Sequence, residues 1–326
     1  MNNSKKLGEV YSTLKNVILI TFGIEFFSAV LIFFSLDAQN FPPHLSKVFF
    51  SAFHAISAFC NAGFSTLPNS LYESGFKYNY VLHLIIIATF VLGGLGFSIV
   101  TNILNYLKYR SRRVLFKNKN FESRPWVLNI NSRINLITTV SISLVAFVLF
   151  FVLEYHNTLE GHNWFGKIVT ALFGATTPRT AGFNSIDTAA MLFPTTMMVF
   201  LLMWIGASPV STGGGIKTST FAIATLNILS LGRGKTRLEV FRREIADISV
   251  KRAFATISLS LIIIGLGIML ISIFDSEKNL KDIAFECFSA YSTVGLSLGI
   301  TADLSEPSRL ILIVIMFVGR VSMLSI

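Results

Sequence analysis

The stretch Thr176-Thr177-Pro178-Arg179-Thr180-Ala181-Gly182-Phe183 decides the reading of this chain, because two other stretches repeat its form. Ser57-Ala58-Phe59-Cys60-Asn61-Ala62-Gly63-Phe64 precedes it, and Ser289-Ala290-Tyr291-Ser292-Thr293-Val294-Gly295-Leu296-Ser297 follows it. Their glycines fall 119 and then 113 residues apart, a period that fits a whole folding unit and not a solenoid turn. Each turn follows a short apolar segment and precedes a long one. Helix, short apolar helix, glycine turn, helix is how a pore brings backbone carbonyls to the middle of a membrane.

The expected fold is an all-α integral membrane protein, in which repeated helix, pore-helix, filter-loop and helix units surround a pseudo-symmetric ion pore. Units are expected at 1–112, 113–232 and 233–326. Composition agrees: 52% of the 326 residues are hydrophobic and 13% charged, more apolar surface than a soluble core can hide. Candidate spans are 16–36, 80–107, 134–153, 194–230, 253–274 and 308–326, most near the roughly 20 residues a bilayer crossing needs. The apolar stretches near 45–59, 164–176 and 280–291 are too short to cross, and are read as re-entrant pore helices.

The net charge of +10 does not point to nucleic acid. Eighteen of the 27 Lys and Arg lie in three segments, Lys5 to Lys15, Lys108 to Arg133 and Arg233 to Arg252. The positive-inside rule makes these cytoplasmic, with an uncleaved cytoplasmic N-terminus and the glycine turns reached from outside. Such loops suit anionic lipid or a cytosolic partner. Cys60 and Cys287 stand at non-equivalent positions and read as small apolar fillers, and the five histidines, 44, 54, 83, 156 and 162, show no metal-ligand spacing. Neither 206–217 nor Gly234-Lys235-Thr236 has phosphate-loop spacing, and the motifs of an intramembrane zinc or serine hydrolase are missing from the sequence.

A dehydrated alkali cation needs several oxygen ligands, and backbone carbonyls supply them without a fixed charge that would hold it too tightly. Gly63, Gly182 and Gly295 are each expected to present one such carbonyl, flanked by Asn61, Ala62, Thr180, Ala181, Thr293 and Val294. The 194–230 stretch is too long for one span, and its middle holds Gly206, Ser208, Pro209, Ser211, Thr212, Gly213, Gly214, Gly215 and Lys217. It is expected to break there and line a cavity beneath the filter as a gating loop, anchored by Lys217. Arg320, about 12 residues into the last span, is read as a pore charge that speeds ion release or as a brace on carbonyls, and the two roles can coexist. Arg179 is expected behind the second turn as a filter brace. Glu25 and Glu286 are expected to brace more than to bind ions. Asp187, Asp275, Glu277, Asp303 and Glu306 belong to outer loops, where they can concentrate cations.

These three turns resemble the filters of the Trk/Ktr/HKT cation-transporter superfamily, and Gly206 to Thr218 and Met316 to Val321 resemble two further family signatures. The resemblance, closest to KtrB/TrkH-like membrane subunits, covers nearly the whole chain. It implies a potassium-uptake subunit that conducts K+, with Na+ preference and coupling open, in the cytoplasmic (cell inner) membrane. It also implies an intramembrane gating loop, a homodimer, a KtrA/TrkA-like cytosolic nucleotide-binding ring, and no enzymatic chemistry. Family members carry four repeats. The three seen here resemble the second, third and fourth, so an upstream segment or another chain is expected to complete the ring, the alternative being a non-conducting fragment or assembly partner.

Overall fold

The structure is a computed structural model that describes residues 2–36, 41–42, 45–115, 130–209, 211–235, 237–241 and 243–321. His44, Arg242, the basic stretch 116–129 and residues 322–326 of the last expected span lie outside the described residues.

Among the described residues, three helices are long and apolar enough to cross a bilayer by length and composition: α1 (Asn2–Ser35) through its segment Thr13–Ser35, α5 (Ile130–Glu154) through Asn131–Glu154, and α9 (Asp247–Phe274). Each is followed by a short apolar helix and a glycine turn: α2 (Lys47–Phe59), α6 (Trp164–Thr176) and α10 (Leu280–Tyr291). A further helix then leaves each turn: α3 (Tyr80–Leu95), α7 (Phe193–Trp204) and α11 (Glu306–Val321). The first two short helices start where the sequence supplies side-chain caps. Ser46 Oγ accepts from Phe49 N and Asn163 Oδ1 from Gly166 N, satisfying donors that have no partner within the first turn of a helix.

One expected span differs. The 80–107 span is bent by 108° between α3 and α4 (Phe97–Leu115). Gly96 makes the corner with φ +82 and ψ 150, a conformation open to glycine and costly for residues with a Cβ. The 194–230 segment does break, into α7 and α8 (Thr218–Gly232), and the described residues of 205–217 between them are non-helical. The chain is also not purely helical, since β1 (Glu239–Val240) and β2 (Arg243–Glu244) form a small antiparallel hairpin. Its tip residue Phe241 lies against the Arg133 guanidinium at 3.9 Å.

Burial explains the layout. Large apolar side chains of the long helices face outward, among them Phe26 and Phe34 at 74% and 79% exposure, the arrangement expected of a lipid-facing belt. The inward core is aromatic and lies around the short helices: Phe50, Phe173, Phe183, Phe285 and Tyr291 are fully buried. Small residues let the helices close on it. A methyl on Gly174 would meet the Phe150 ring at 2.5 Å, and one on Gly166 would meet Tyr80 at 2.2 Å. The chain is thus a mostly helical, multi-pass membrane protein.

The loops joining the long and short helices carry polar anchors. Glu154, buried at the end of α5, accepts from Asn157 Nδ2 (2.8 Å), Thr158 Oγ1 (2.9 Å) and Leu192 N (3.0 Å). Asp275 accepts from Ser305 N and Oγ just ahead of α11. Hydrogen bonds from Ser308 and Ser305 hold its carboxyl below the usual range. His162 sits in the α5–α6 loop with Nδ1 3.2 Å from the Tyr80 hydroxyl. Burial, with Lys77 and Lys167 nearby, lowers its pKa from 6.5 to about 4.

A histidine whose folded pKa is depressed binds fewer protons folded than unfolded, so stability falls as pH drops through that window. We predict that the unfolding temperature of the detergent-solubilised protein falls between pH 6.5 and about 4, and that His162→Gln flattens part of this slope. An unchanged slope in the variant would remove His162 from the explanation.

Candidate pore site

The three glycine turns are built alike. Just past each short helix, Ala62 N, Ala181 N and Val294 N donate back to Ser57 O, Thr177 O and Ser289 O at 2.8, 3.0 and 2.9 Å. Asn61, Thr180 and Thr293 then take φ of +52, +72 and +52, and two residues later Gly63, Gly182 and Gly295 take +72, +78 and +90. Asparagine tolerates this region, but a β-branched threonine there is an outlier that only a constraining environment maintains. Hydroxyls of the short helices fix the far side of each turn: Ser57 Oγ donates to Phe64 O (2.8 Å), Thr177 Oγ1 donates to Phe183 O (2.7 Å), and Ser289 Oγ accepts from Gly295 N (3.2 Å).

The turns lie side by side. A methyl on Gly63 would sit 2.8 Å from Ala181 O, and one on Gly182 would sit 2.0 Å from Val294 O. The order is therefore first, second, third, and the far flank of the third is open, with nothing within 4 Å of a methyl placed on Gly295. Among the described residues, none of the carbonyl oxygens of Asn61, Ala62, Gly63, Thr180, Ala181, Gly182, Thr293, Val294 and Gly295 accepts a hydrogen bond. The Asn61 side chain ties two turns together. With its amide nitrogen donating to Ala58 O and Phe90 O at 3.0 Å, its oxygen accepts from Thr180 Oγ1 at 3.1 Å.

The 205–217 segment lies directly against these turns. Consecutive residues meet successive turns: Thr212 Oγ1 donates to Phe59 O beside the first (3.4 Å), Gly213 abuts Thr180 of the second, and Gly214 abuts Thr293 of the third. A methyl on Gly213 would stand 2.0 Å from Thr180 Oγ1, and one on Gly214 2.2 Å from Thr293 Oγ1. The loop is held from both sides. Ser208 N donates to Gly94 O (3.0 Å), Ala207 N to Gly214 O (3.3 Å) and Thr218 N to Ala207 O (3.1 Å), while Ile205 and Ile216 form a parallel bridge. Ser211 Oγ donates to Ser208 O beside Pro209, and Gly215 turns the chain at φ +70.

Three cationic side chains also converge on the loop. Lys217 Nζ donates to Gly213 O at 2.7 Å, and Arg320 Nη1 reaches from α11 to Thr212 O at 2.7 Å. Arg179 lies behind the second turn, where its guanidinium donates to Thr139 O and Ser143 Oγ of α5, to Gly206 O of the loop and to Thr218 Oγ1 at the start of α8, at 3.1–3.4 Å. What Arg179 clamps is thus a helix and the loop, and not the peptide groups of its own turn. The fork of a guanidinium can span two elements in this way, which an ammonium cannot.

The remaining candidates are dispersed. Glu286 is buried behind the third turn and accepts from Ser297 Oγ and from Thr301 Oγ1 (2.8 Å). Glu25, in α1, has Cys60 Sγ 4.0 Å from its carboxylate. Asp187 caps Ala189 N and Asp303 pairs with Lys278 at 3.6 Å. His54 lies between Phe50 O and Ser65 Oγ, 2.9 Å from each. Among the described residues no three His, Cys, Asp or Glu side chains are grouped to hold a metal ion.

Two contributors escaped the sequence reading. Glu154 anchors the α5–α6 loop, and its signal was a carboxylate followed by Asn157 and Thr158, donors three and four residues on. Gly93 and Gly94 admit the first turn, since a methyl on Gly93 would lie 2.0 Å from Phe59 O. Adjacent glycines inside an apolar helix were the available clue.

Comparison with known proteins fits a transport class. Residues 1–326 match the family model described as TrkH, cation transport protein, and the chain belongs to that family. It is 35% identical over 325 residues to the Ktr system potassium uptake protein B of Bacillus subtilis (strain 168), covering 99% of this chain and 68% of that protein. It is 33% identical to the potassium/sodium uptake protein NtpJ of Enterococcus hirae over 283 residues, 86% of this chain and 59% of that one. The crystal structure of the potassium transporter TrkH from Vibrio parahaemolyticus shares the fold with a TM-score of 0.69 at 18% identity, covering 96% of this chain and 63% of that one. The chain thus spans roughly three fifths to two thirds of the length of these relatives.

The clamp at Arg179 yields a stability test. Arg179→Lys keeps the charge but cannot reach both α5 and the loop, and loses about 2 kcal/mol, the typical worth of hydrogen bonds to a charged group. Thermal unfolding in detergent reads this as a lowered midpoint. A midpoint equal to wild type means that the four bonds contribute nothing to stability.

Proposed function

We propose that this chain is the membrane subunit of a potassium-uptake system, conducting K+ across the cytoplasmic membrane through the three glycine turns, with Na+ as the alternative or coupled ion. The observation that carries the reading is the set of nine unbonded carbonyl oxygens on three adjoining turns. Five of the nine belong to buried residues, Asn61, Thr180, Ala181, Gly182 and Val294, and buried peptide oxygens are almost always paired. Left free together in a membrane protein, they suit a cation that exchanges its hydration shell for carbonyl ligands. Alternating signs of φ at 61–63, 180–182 and 293–295 bring successive peptide groups toward one side, as in other ion-binding backbone concavities.

The 205–217 loop stands as the gate. It closes the inner side of the turns at three consecutive residues, and Lys217 and Arg320 hold it there through carbonyls. Their charges also discourage a cation from resting beneath the filter, so each ion released meets repulsion from behind. An intramembrane loop held by a few bonds can be displaced when a partner acts on the basic cytoplasmic segments. A KtrA/TrkA-like nucleotide-binding ring and a homodimeric arrangement fit that role, with the N-terminus cytoplasmic and the units divided at 1–112, 113–232 and 233–326. A second reading rests on the open flank of Gly295: the three turns form an arc, and another segment or subunit supplies the fourth side before conduction begins.

Uptake of Rb+ into proteoliposomes holding this chain tests the first reading. Gly182→Ala, whose methyl would lie 2.0 Å from Val294 O, is expected to abolish uptake. Gly234 also has a positive φ, +72 against +78 at Gly182, but a methyl there meets nothing within 4 Å, and Gly234→Ala should retain uptake. No uptake by wild type, with uptake restored by a co-reconstituted longer relative, favours the second reading. Equal uptake by both variants would falsify the placement of the ion path.

A further inference from the structure

We infer that Gly213 and Gly214 determine the cation selectivity of the turns as well as blocking the path, so that moving the loop changes which ions the turns prefer. The inference rests on the conduction reading above and goes beyond it. Thr180 and Thr293 are held at φ +72 and +52, a conformation that a β-branched residue keeps only where its surroundings impose it.

Those surroundings are the loop. The Thr180 hydroxyl is wedged between the Asn61 amide at 3.1 Å and Gly213, which has no room for a methyl beside it. Thr293 Oγ1 and Ser292 O crowd Gly214 in the same way, at 2.2 and 2.5 Å from a methyl placed there. Lys217 Nζ and Arg320 Nη1 fix the carbonyls of Gly213 and Thr212, so loop and turns form one packed body. Displacing the loop leaves both threonines free to return toward negative φ. The adjoining carbonyls of Ala181, Gly182, Val294 and Gly295 then lose the spacing that distinguishes a larger dehydrated cation from a smaller one. A barrier that merely stood in the path would alter the rate for all cations alike.

The test compares Rb+ and Na+ uptake in proteoliposomes for wild type, Gly213→Ala, Gly214→Ala and Thr212→Val. Gly232→Ala, in open space at the end of α8, serves as control. The expected result is a fall of about fivefold in the Rb+ to Na+ ratio for the two glycine variants, roughly a 1 kcal/mol change in discrimination. A smaller fall is expected for Thr212→Val, which loses one hydrogen bond at constant volume, and none for the control. Ratios equal to wild type in all three, whatever the total uptake, overturn the inference and leave a pure gate. Should the glycine variants fail to fold, Thr212→Val decides it alone. Should wild type conduct nothing, it is the conduction reading that fails. The difference between melting midpoints in K+ and in Na+ then tests the inference separately: a difference that shrinks in the variants supports it, and one that is unchanged or absent from wild type overturns it.

Discussion

Peptide groups removed from water require partners, and the whole architecture follows from where that requirement is relaxed. A helix bonds its interior carbonyls within its own segment, which is the condition for standing in lipid. At three places the chain leaves helical geometry well inside the apolar body and presents carbonyls that no protein donor meets. Short helices, buried phenylalanines and hydroxyl tethers all serve to keep those turns in place. The tethers matter because they bond the carbonyl of the residue after the glycine in the first two turns, and the glycine's own N–H in the third, and leave the preceding oxygens free.

The same requirement governs the 205–217 loop. Several of its peptide groups find partners without a helix, in Gly94, in one another and in three cationic side chains. Basic side chains are costly at membrane depth and are usually found facing partners or cavities. Here Arg179, Lys217 and Arg320 all donate to carbonyls of the loop, which makes one segment the shared partner of charges from three parts of the chain. Close approach depends on glycine at the same points. Gly206, Gly213 and Gly214 each lie where a methyl would overlap a neighbour's backbone or hydroxyl.

Much of this was legible in the residues. The repeated turns, the three short helices and the break in the 194–230 segment each carried a local signal in glycine placement and apolar run length. The bend at Gly96 was hidden because 80–107 reads as one continuous apolar run. Glycines at 93, 94 and 96 are tolerated in a straight apolar helix as well as at a bend, and only packing against the first turn and the loop shows which way the chain goes. Arg179 was placed behind its turn by charge alone. Its true partners lie 27 to 40 residues away and could not be named from spacing.

By itself the sequence determined a helical membrane protein with three equivalent glycine turns and a broken helix, because hydropathy, glycine and proline act through local backbone energetics that composition exposes. Only the tertiary structure decided that the turns adjoin in order, that residues 212, 213 and 214 each meet a different one, and that nine carbonyls find no donor among the described residues. Those outcomes depend on which surfaces meet across more than a hundred residues of chain. Contact at that range is set by the fit of whole helices against one another, and no single stretch of residues encodes it.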